Sequence, residues 1–484
     1  MPSPRADLLK GVEVEFANAD LGDVRRSRRL DQIVRAAARA PDAGFPQMVA
    51  SDAELEGVYR LLSNEDVSAE EILTPHIEAT LSRAEAAGTC LVLHDTTTFI
   101  FSGDAPRRGV GPVRGKDGQR GFFAHVSFAV MRDRDRTPLG VCGFHRWSRP
   151  NRDEPLHKSG DRQSDPTRES LRWEQQIVDV ERRVAGRFSC IHVTDREGDI
   201  YDVLATIQRL DSRFVIRAHH DRLLAGHDED TRLMERVRAL VPTGSKAIEL
   251  NARPDGDRPF MQRKKHPARR ARTATIAVAS YPVVIKRPQA AHADADEIGV
   301  NIVRVWEPAP PNGEPAVEWI LYTSEPVDTP EQIFAVVDTY RCRWVIEELF
   351  KAIKTGCAFE RRQLESFHAL SNALALFLPI AWKMLLARTV VRRDMALPAT
   401  ALLTPAQLQI LAFKFELSTP LATARDAALA VAKLGGHLRR NGLPGWQTLG
   451  RGFEALVLMQ VGWQAALAAG ARPPAAQDAT EGCD

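Results

Sequence analysis

The chain has 484 residues, more than one hydrophobic core ordinarily serves, so two or three domains are expected. Hydrophobic residues make up 44% and charged residues 26%, and net charge is only +2, which excludes a disordered chain and a whole-chain polycation. Six scattered cysteines without a CxxC pair argue against a zinc site or a disulfide framework and for a reducing cytoplasm.

Met1 to Lys10 carries Arg5, Asp7 and Lys10 and no apolar run, so no secretory signal is expected there. Residues 20–40 read as an amphipathic helix, with Leu30, Ile33, Val34, Ala37 and Ala38 on one apolar face. Arg25, Arg26, Arg28, Arg29, Arg35 and Arg39 give it a basic character. They suit DNA phosphates, or simply a solvated surface. Ser51 with Glu54, and Ser68 with Glu71, carry capping-box spacing and predict two further helices. Residues 1–86 are therefore expected to be all-helical.

The pattern then changes. Thr89 to Leu93 reads as a buried strand ending at Asp95, followed by strands at Phe122–Met131 and Pro138–Trp147. Between them, Arg107 to Arg120 is a glycine- and charge-rich loop. A helix over Arg168–Val184, a strand over Phe188–Val193 ending at Asp195, a helix over Ile200–Leu210 and a strand over Arg213–Ala218 follow. Residues 220–325 are mostly β in character, with strands at Thr273–Ile285 and Val300–Trp306. Arg258–Arg272 holds seven Lys/Arg and no acid, and reads as a DNA-facing loop or a merely solvated one. A long helix is expected over 329–354, and everything after it looks helical. The apolar stretch Ala373–Trp382 is too short to span a bilayer, contains Pro379 and reads as a buried helix. Residues 471–484 read as a disordered tail.

Asp95 and Asp195 each close a strand, and they become neighbours if the first and fourth strands lie side by side. A third acid should come from a helix crossing them. On a regular α-helix, with Tyr340 at 0°, Arg343 falls near about −60°, Glu347 near about −20° and Lys354 near about −40°, on one face. Glu348 falls near about +80°, off that face. Three carboxylates suit two Mg²⁺ or Mn²⁺ ions roughly 3.5–4 Å apart, able to stabilise the attacking and leaving oxygens of a phosphodiester displacement. Tyr340, Arg343 and Lys354 are suitable donors to phosphate. Singly these signs are weak: an aspartate at a strand end more often caps a turn. Their joint pattern carries the weight.

At these residues the sequence resembles the bacterial DDE transposases of the insertion-sequence-four family, especially the Tn-five-type cut-and-paste transposases. Three stretches carry the likeness: Asp95-Thr96-Thr97, Asp195-Arg196-Glu197-Gly198-Asp199, and Tyr340-x-x-Arg343-x-x-x-Glu347 followed at full spacing by Lys354. The similarity runs from about Ala19 to the Trp463 region. It implies an RNase H-like α/β catalytic core with a β-rich insertion, flanked by an all-helical N-terminal domain that binds transposon ends and a helical C-terminal region that dimerises. The corresponding segments are 1–86, 87–370 with the insertion at about 220–325, and 371–470.

The resemblance further implies metal-dependent nicking, attack of the freed 3′-OH to form a hairpin, hairpin opening by water, and joining to target DNA. One active site performs all the steps, with no covalent intermediate. Trp319 matches the family's base-stacking tryptophan, though by itself it reads as a core residue of a strand. Arg217 matches an arginine near the active site. The implied partners are double-stranded DNA and a second copy of the chain in a homodimeric synaptic complex, with no small-molecule substrate and no membrane. The implied place is the bacterial cytoplasm, at the nucleoid. Two other readings remain: a catalytically silent DNA-binding remnant or regulator, and a nuclease on the same core. The intact acidic triad disfavours the first and the Tyr-Arg-Glu-Lys spacing the second.

Overall fold

The structure, a computed structural model, describes residues 12–102, 107–113, 118–150, 168–226, 231–250, 252, 268–314, 316–393, 397–438, 440 and 444–470. Most of the basic stretch Arg258–Arg272, and the tail from 471, lie outside the described residues. The chain divides into two compact units. One comprises Met1–Pro75, Phe101–Arg108 and Leu349–Asp484, the other His76–Ile100 and Gly109–Glu348.

The first unit is helical where described. Helix α1 spans Val24–Arg39, α2 Asp52–Ser63, and α3 begins at Ala69 and runs to Ala87 in the second unit. Asp23 caps α1 through the Arg25 N–H. At α2 the box is only half closed: Ser51 accepts from Glu54 N–H, but the Glu54 carboxylate takes the Ala50 N–H instead of that of Ser51. At α3 it is reciprocal, Ser68 N–H to Glu71 at 2.8 Å and Glu71 N–H to Ser68 at 3.2 Å.

In the second unit, strands β1 (Thr89–Phe101), β2 (Arg120–Met131), β3 (Pro138–Trp147), β4 (Ser189–Thr194) and β5 (Arg213–Arg217) alternate with helices α4 (Leu171–Val184) and α5 (Tyr201–Arg209). After them come a short helix α6 (Leu233–Arg238) and strands β6 (Gly244–Leu250), β7 (Arg272–Lys286), β8 (Glu297–Trp306) and β9 (Glu318–Thr323). All nine belong to one sheet in the order β3-β2-β1-β4-β5-β9-β8-β7-β6, with the two-residue strand Gly111–Pro112 also on β2. Strands β1, β4 and β5 are parallel, whereas β9 meets β5 antiparallel. The β-rich stretch is therefore no separate lobe. It continues the central sheet, and β1 and β4 are side by side as the carboxylate geometry requires.

Two features differ from expectation. Strand β1 does not stop at Asp95; it runs six residues further, so Asp95 lies inside a strand whose pairing with β4 ends at Leu93↔Val193. The polar Asp-Thr-Thr-Thr run disguised this, because the signal for a doubly covered strand is continuous apolarity. The helix expected over 329–354 is also not regular. Thr329 opens α7 (Pro330–Cys342) with a full capping box, Arg343 breaks the α pattern, α8 runs Trp344–Lys351, and Ala352–Gly356 is a π-helical turn.

Successive strand residues face opposite sides. On one side α4, α5 and α6 cover an apolar cluster including Trp173, Ile177, Leu204, Ile207, Phe214, Ile216, Ile302 and Tyr322. On the other side α7 packs across β4, β5, β7 and β8.

In the first unit, α9 (Phe367–Arg393) is followed by α10 (Pro405–Lys414), α11 (Ala424–Leu434) and α12 (Trp446–Ala468). Far from being short, α9 runs 27 residues through Pro379 and is long and apolar enough to cross a membrane. Its apolar window is nonetheless 89% buried inside the protein, as in a core helix. Asn372 on α9 donates to the Leu62 and Val67 carbonyls, and buried Arg362 donates to Ala43, Pro41 and Cys357 carbonyls. These bonds satisfy loop ends that would otherwise be buried without partners. The apolar stripe Leu449, Phe453 and Leu456 of α12 is spent on this intrachain core. Leu458, Val461 and Leu467 on the same helix, and Phe413 on α10, stay exposed.

Candidate active site

Register brings the two aspartates together. Leu91 pairs with Ile191 and Leu93 with Val193, so Asp95 and Asp195, each two residues on, project from the same face of the sheet. Arg217, by the pairing of Val193 with Val215, shares that face. So does Trp319, because its strand neighbour two residues on, Leu321, pairs with Arg217. This is the face that α7 crosses. The half-buried Trp319 ring lies 5.7 Å from that of Tyr340 at an interplanar angle of 58°.

Asp95 is 8% exposed. One of its oxygens accepts the Thr96 N–H at 2.8 Å, and the other accepts from Arg343 Nη1 at 2.8 Å. Arg343 also reaches Glu347, with Nη1 and Nη2 at 3.4 and 3.5 Å from Oε1. The i, i+4 spacing thus places Glu347 on the face the helix angle assigned it. Burial pushes the Asp95 carboxyl up to about 7; the neighbouring Asp195 and Glu347 push the same way, and Arg343 opposes them. Asp195 combines two roles in position: it closes β4, and its Oδ1 caps the turn Arg196–Gly198 through the Glu197 N–H at 2.8 Å. Its turn-cap reading and its place on the carboxylate face coexist.

Hard oxygen donors on one face suit a divalent cation such as Mg²⁺ or Mn²⁺. In the arrangement found, no three acidic, histidine or cysteine side chains among the described residues converge to hold an ion, and a guanidinium stands between Asp95 and Glu347. The donor set fits the cation in chemistry.

Several neighbours, three of them inside the Asp195–Asp199 stretch, were not named as site residues from the sequence. Glu197 sits beside Asp195, and burial first, then Asp195, raises its carboxyl. Asp199 is buried and accepts from the His219 and His220 N–H groups at 2.6 and 2.8 Å and from Arg222 at 2.6 Å. It ties the loop after Asp195 to the loop after β5. Gly198 is needed there, since a Cβ would sit 2.3 Å from Thr194 Oγ1. Behind Asp95, on the opposite face, runs a buried chain. Ser127 Oγ lies 2.9 Å from His94 Nδ1, His94 Nε2 lies 2.8 Å from His192 Nδ1, and His192 Nε2 lies 2.7 Å from Glu181. Burial holds His94 well below the usual histidine range, so the chain is uncharged at its centre. Only the alternation along β1 and β4 could have pointed to it.

The remaining sequence candidates are placed as follows. Arg217 donates to the Glu318 carbonyl at 3.2 Å. Arg196 is disfavoured in its charged form by burial and by Arg217, and favoured by Tyr340 and Asp195, which puts all four in one electrostatic neighbourhood. Lys354 lies in the π turn Ala352–Gly356. In the other unit, Arg25 is exposed and paired with Asp23, and Arg26 donates to Asp66 and the Leu21 carbonyl. Arg29 packs over Gly57, and Arg28 is exposed.

Residues 167–380 match the family described as transposase DDE domain, and residues 11–67 match the family described as transposase DNA-binding. The chain thus carries a transposase DNA-binding segment followed by a transposase DDE domain, with Asp195 and Glu347 inside the second match and Asp95 between the two. Among solved structures it is similar to a cryo-EM structure of the piggyBac transposase synaptic complex with hairpin DNA. Identity there is 10% and the TM-score 0.36, over 99% of this chain and 88% of that one. A likeness of that strength decides neither fold nor activity.

Proposed function

We propose that this protein is a cut-and-paste transposase of the insertion-sequence-four type, with an RNase H-like core that nicks, hairpins, reopens and joins DNA at transposon ends. The reading rests on Asp95 and Asp195 sharing one face of two adjacent parallel strands, with Arg343 bridging Asp95 to Glu347, in a chain with a transposase DDE match.

Asp95, Asp195 and Glu347 would hold divalent cations, Mg²⁺ or Mn²⁺, two in the full site. Such ions, when bound, lower the pKa of water and neutralise charge on phosphate oxygens. The protein's own part is positioning. Arg343, planar and able to bind bidentately, would orient a phosphate of the cut strand, with Tyr340 and Lys354 as further donors. Hairpin formation needs a sharply bent backbone, and an extruded base costs a few kcal/mol that stacking offsets. Trp319 and Arg217, on the carboxylate face, would receive that base and its phosphate. The arginines of α1 would bind end DNA with an affinity that falls with salt. A second copy of the chain, joined through the C-terminal helices, would hold the other end.

The test is cleavage of the element's own terminal DNA with Mg²⁺. Wild type should cut and leave hairpin ends on a denaturing gel, Glu347→Ala should bind without cutting, and Glu348→Ala should lose much less. Binding without cutting by wild type at every metal concentration would instead identify a silent DNA-binding remnant.

A further inference from the structure

Arg343 stands in an unusual place for a phosphate ligand. Its backbone ends α7, with the N–H bonded to the Tyr340 carbonyl at 3.0 Å, three residues back instead of four. Its side chain is only 14% exposed. One guanidinium nitrogen bonds Asp95 Oδ2 at 2.8 Å and lies 3.4 Å from Glu347 Oε1. It therefore engages oxygens from two of the three carboxylates that a cation would need. A cation and a guanidinium cannot both bond those oxygens closely without strong like-charge repulsion in a buried site.

We propose that Arg343 is a counter-ion gate: in the DNA-free protein it bridges Asp95 and Glu347 and holds off the metal, and it yields the site when a DNA phosphate takes the guanidinium. The inference rests on the metal-site reading of the triad given above. A phosphodiester offers Arg343 an alternative bidentate partner of equal charge. Its departure leaves three carboxylates uncompensated, which raises their affinity for a divalent cation. Binding free energies are reciprocal, so metal must strengthen DNA binding by the same factor as DNA strengthens metal binding. The device keeps the hydrolytic ion out of the protein until a strand is in place.

The experiment is Mn²⁺ titration of the full chain, followed by electron paramagnetic resonance, with and without a duplex of the element's terminal sequence. In wild type the duplex should tighten Mn²⁺ binding by about tenfold or more. Arg343→Gln should bind Mn²⁺ about tenfold or more tighter than wild type without DNA, and the duplex should then add little. Arg343→Lys, which keeps the charge but cannot span both carboxylates with one planar fork, should fall between them and serves if the glutamine variant folds poorly. Equal DNA-free affinities in wild type and both variants would overturn the gate. Asp195→Ala separates the two ideas. If it weakens Mn²⁺ binding while the Arg343 variants leave it unchanged, the metal site stands and the gate falls. If it changes nothing in any background, the metal site falls and the gate with it.

Discussion

Asp95→Asn should make the protein more stable in alkaline buffer while abolishing the proposed cutting activity. Moving the carboxyl from 3.8 to about 7 costs its ionised form about 4 kcal/mol relative to the unfolded chain, at about 1.4 kcal/mol for each pH unit. The sign follows from proton binding. Between pH 3.8 and about 7 the folded protein holds a proton here that the unfolded chain has released, so stability falls as pH rises through that window and stays low above it. Asparagine carries no such liability and still offers Arg343 an oxygen. The loss of a full charge for Arg343 to face subtracts from the gain, leaving about 2–4 kcal/mol above pH 7.5 and almost none near pH 4. The assay is the unfolding midpoint of both proteins in chelator at pH 4.5, 6, 7.5 and 8.5. The variant should pull ahead as pH rises. A gap that is independent of pH, or one that closes with rising pH, would refute the reasoning.

Other outcomes follow from separate parts of the molecule. Gly452→Ala on α12 should destabilise: its Cβ would lie 2.0 Å from the Val431 carbonyl on α11, and overpacking of about 1–3 kcal/mol exceeds the helix-propensity gain of about 1 kcal/mol. Gly462→Ala on the same helix meets nothing within 4 Å and should raise the unfolding free energy by up to about 1 kcal/mol; equal effects at both sites would discard the close-packing argument. Trp319→Ala should slow hairpin formation more than first-strand nicking in gel time courses, and equal slowing of both steps would remove its stacking role.

The carboxylate site was legible because it rests on two short rules. Alternation along β1 and β4 puts Asp95 and Asp195 on one face, and the i, i+4 step puts Glu347 beside Arg343. The rest depends on contacts that no local pattern encodes. Strand β1 hides its continuation because its next residues are polar, with Thr97 buried and Thr96 and Thr98 half-buried. The sheet's extension through β9 depends on pairing with β5 across about a hundred residues of chain, of the kind seen between Thr323 and Val215. The contact of Arg343 with Asp95 joins residues 248 apart in the chain, which no local pattern encodes. The π turn at Lys354 is equally silent in periodicity. Charges on α1 looked uniformly available, yet Arg26 is tied to Asp66, forty residues away.

Because β9 is zipped directly to β5, the segment between β5 and α7 is part of the sheet that carries the two aspartates and not a detachable cassette. Trp319 and Arg217 keep their relative height only through the Leu321↔Arg217 register, and a one-residue slip would turn Trp319 to the opposite side of the sheet. Engineers wishing to exchange the inserted strands for those of a relative would have to carry β5 along with them. Insertions and deletions are better tolerated at the far edge, beyond β7 and β6, where an alteration need not propagate back to the aspartates.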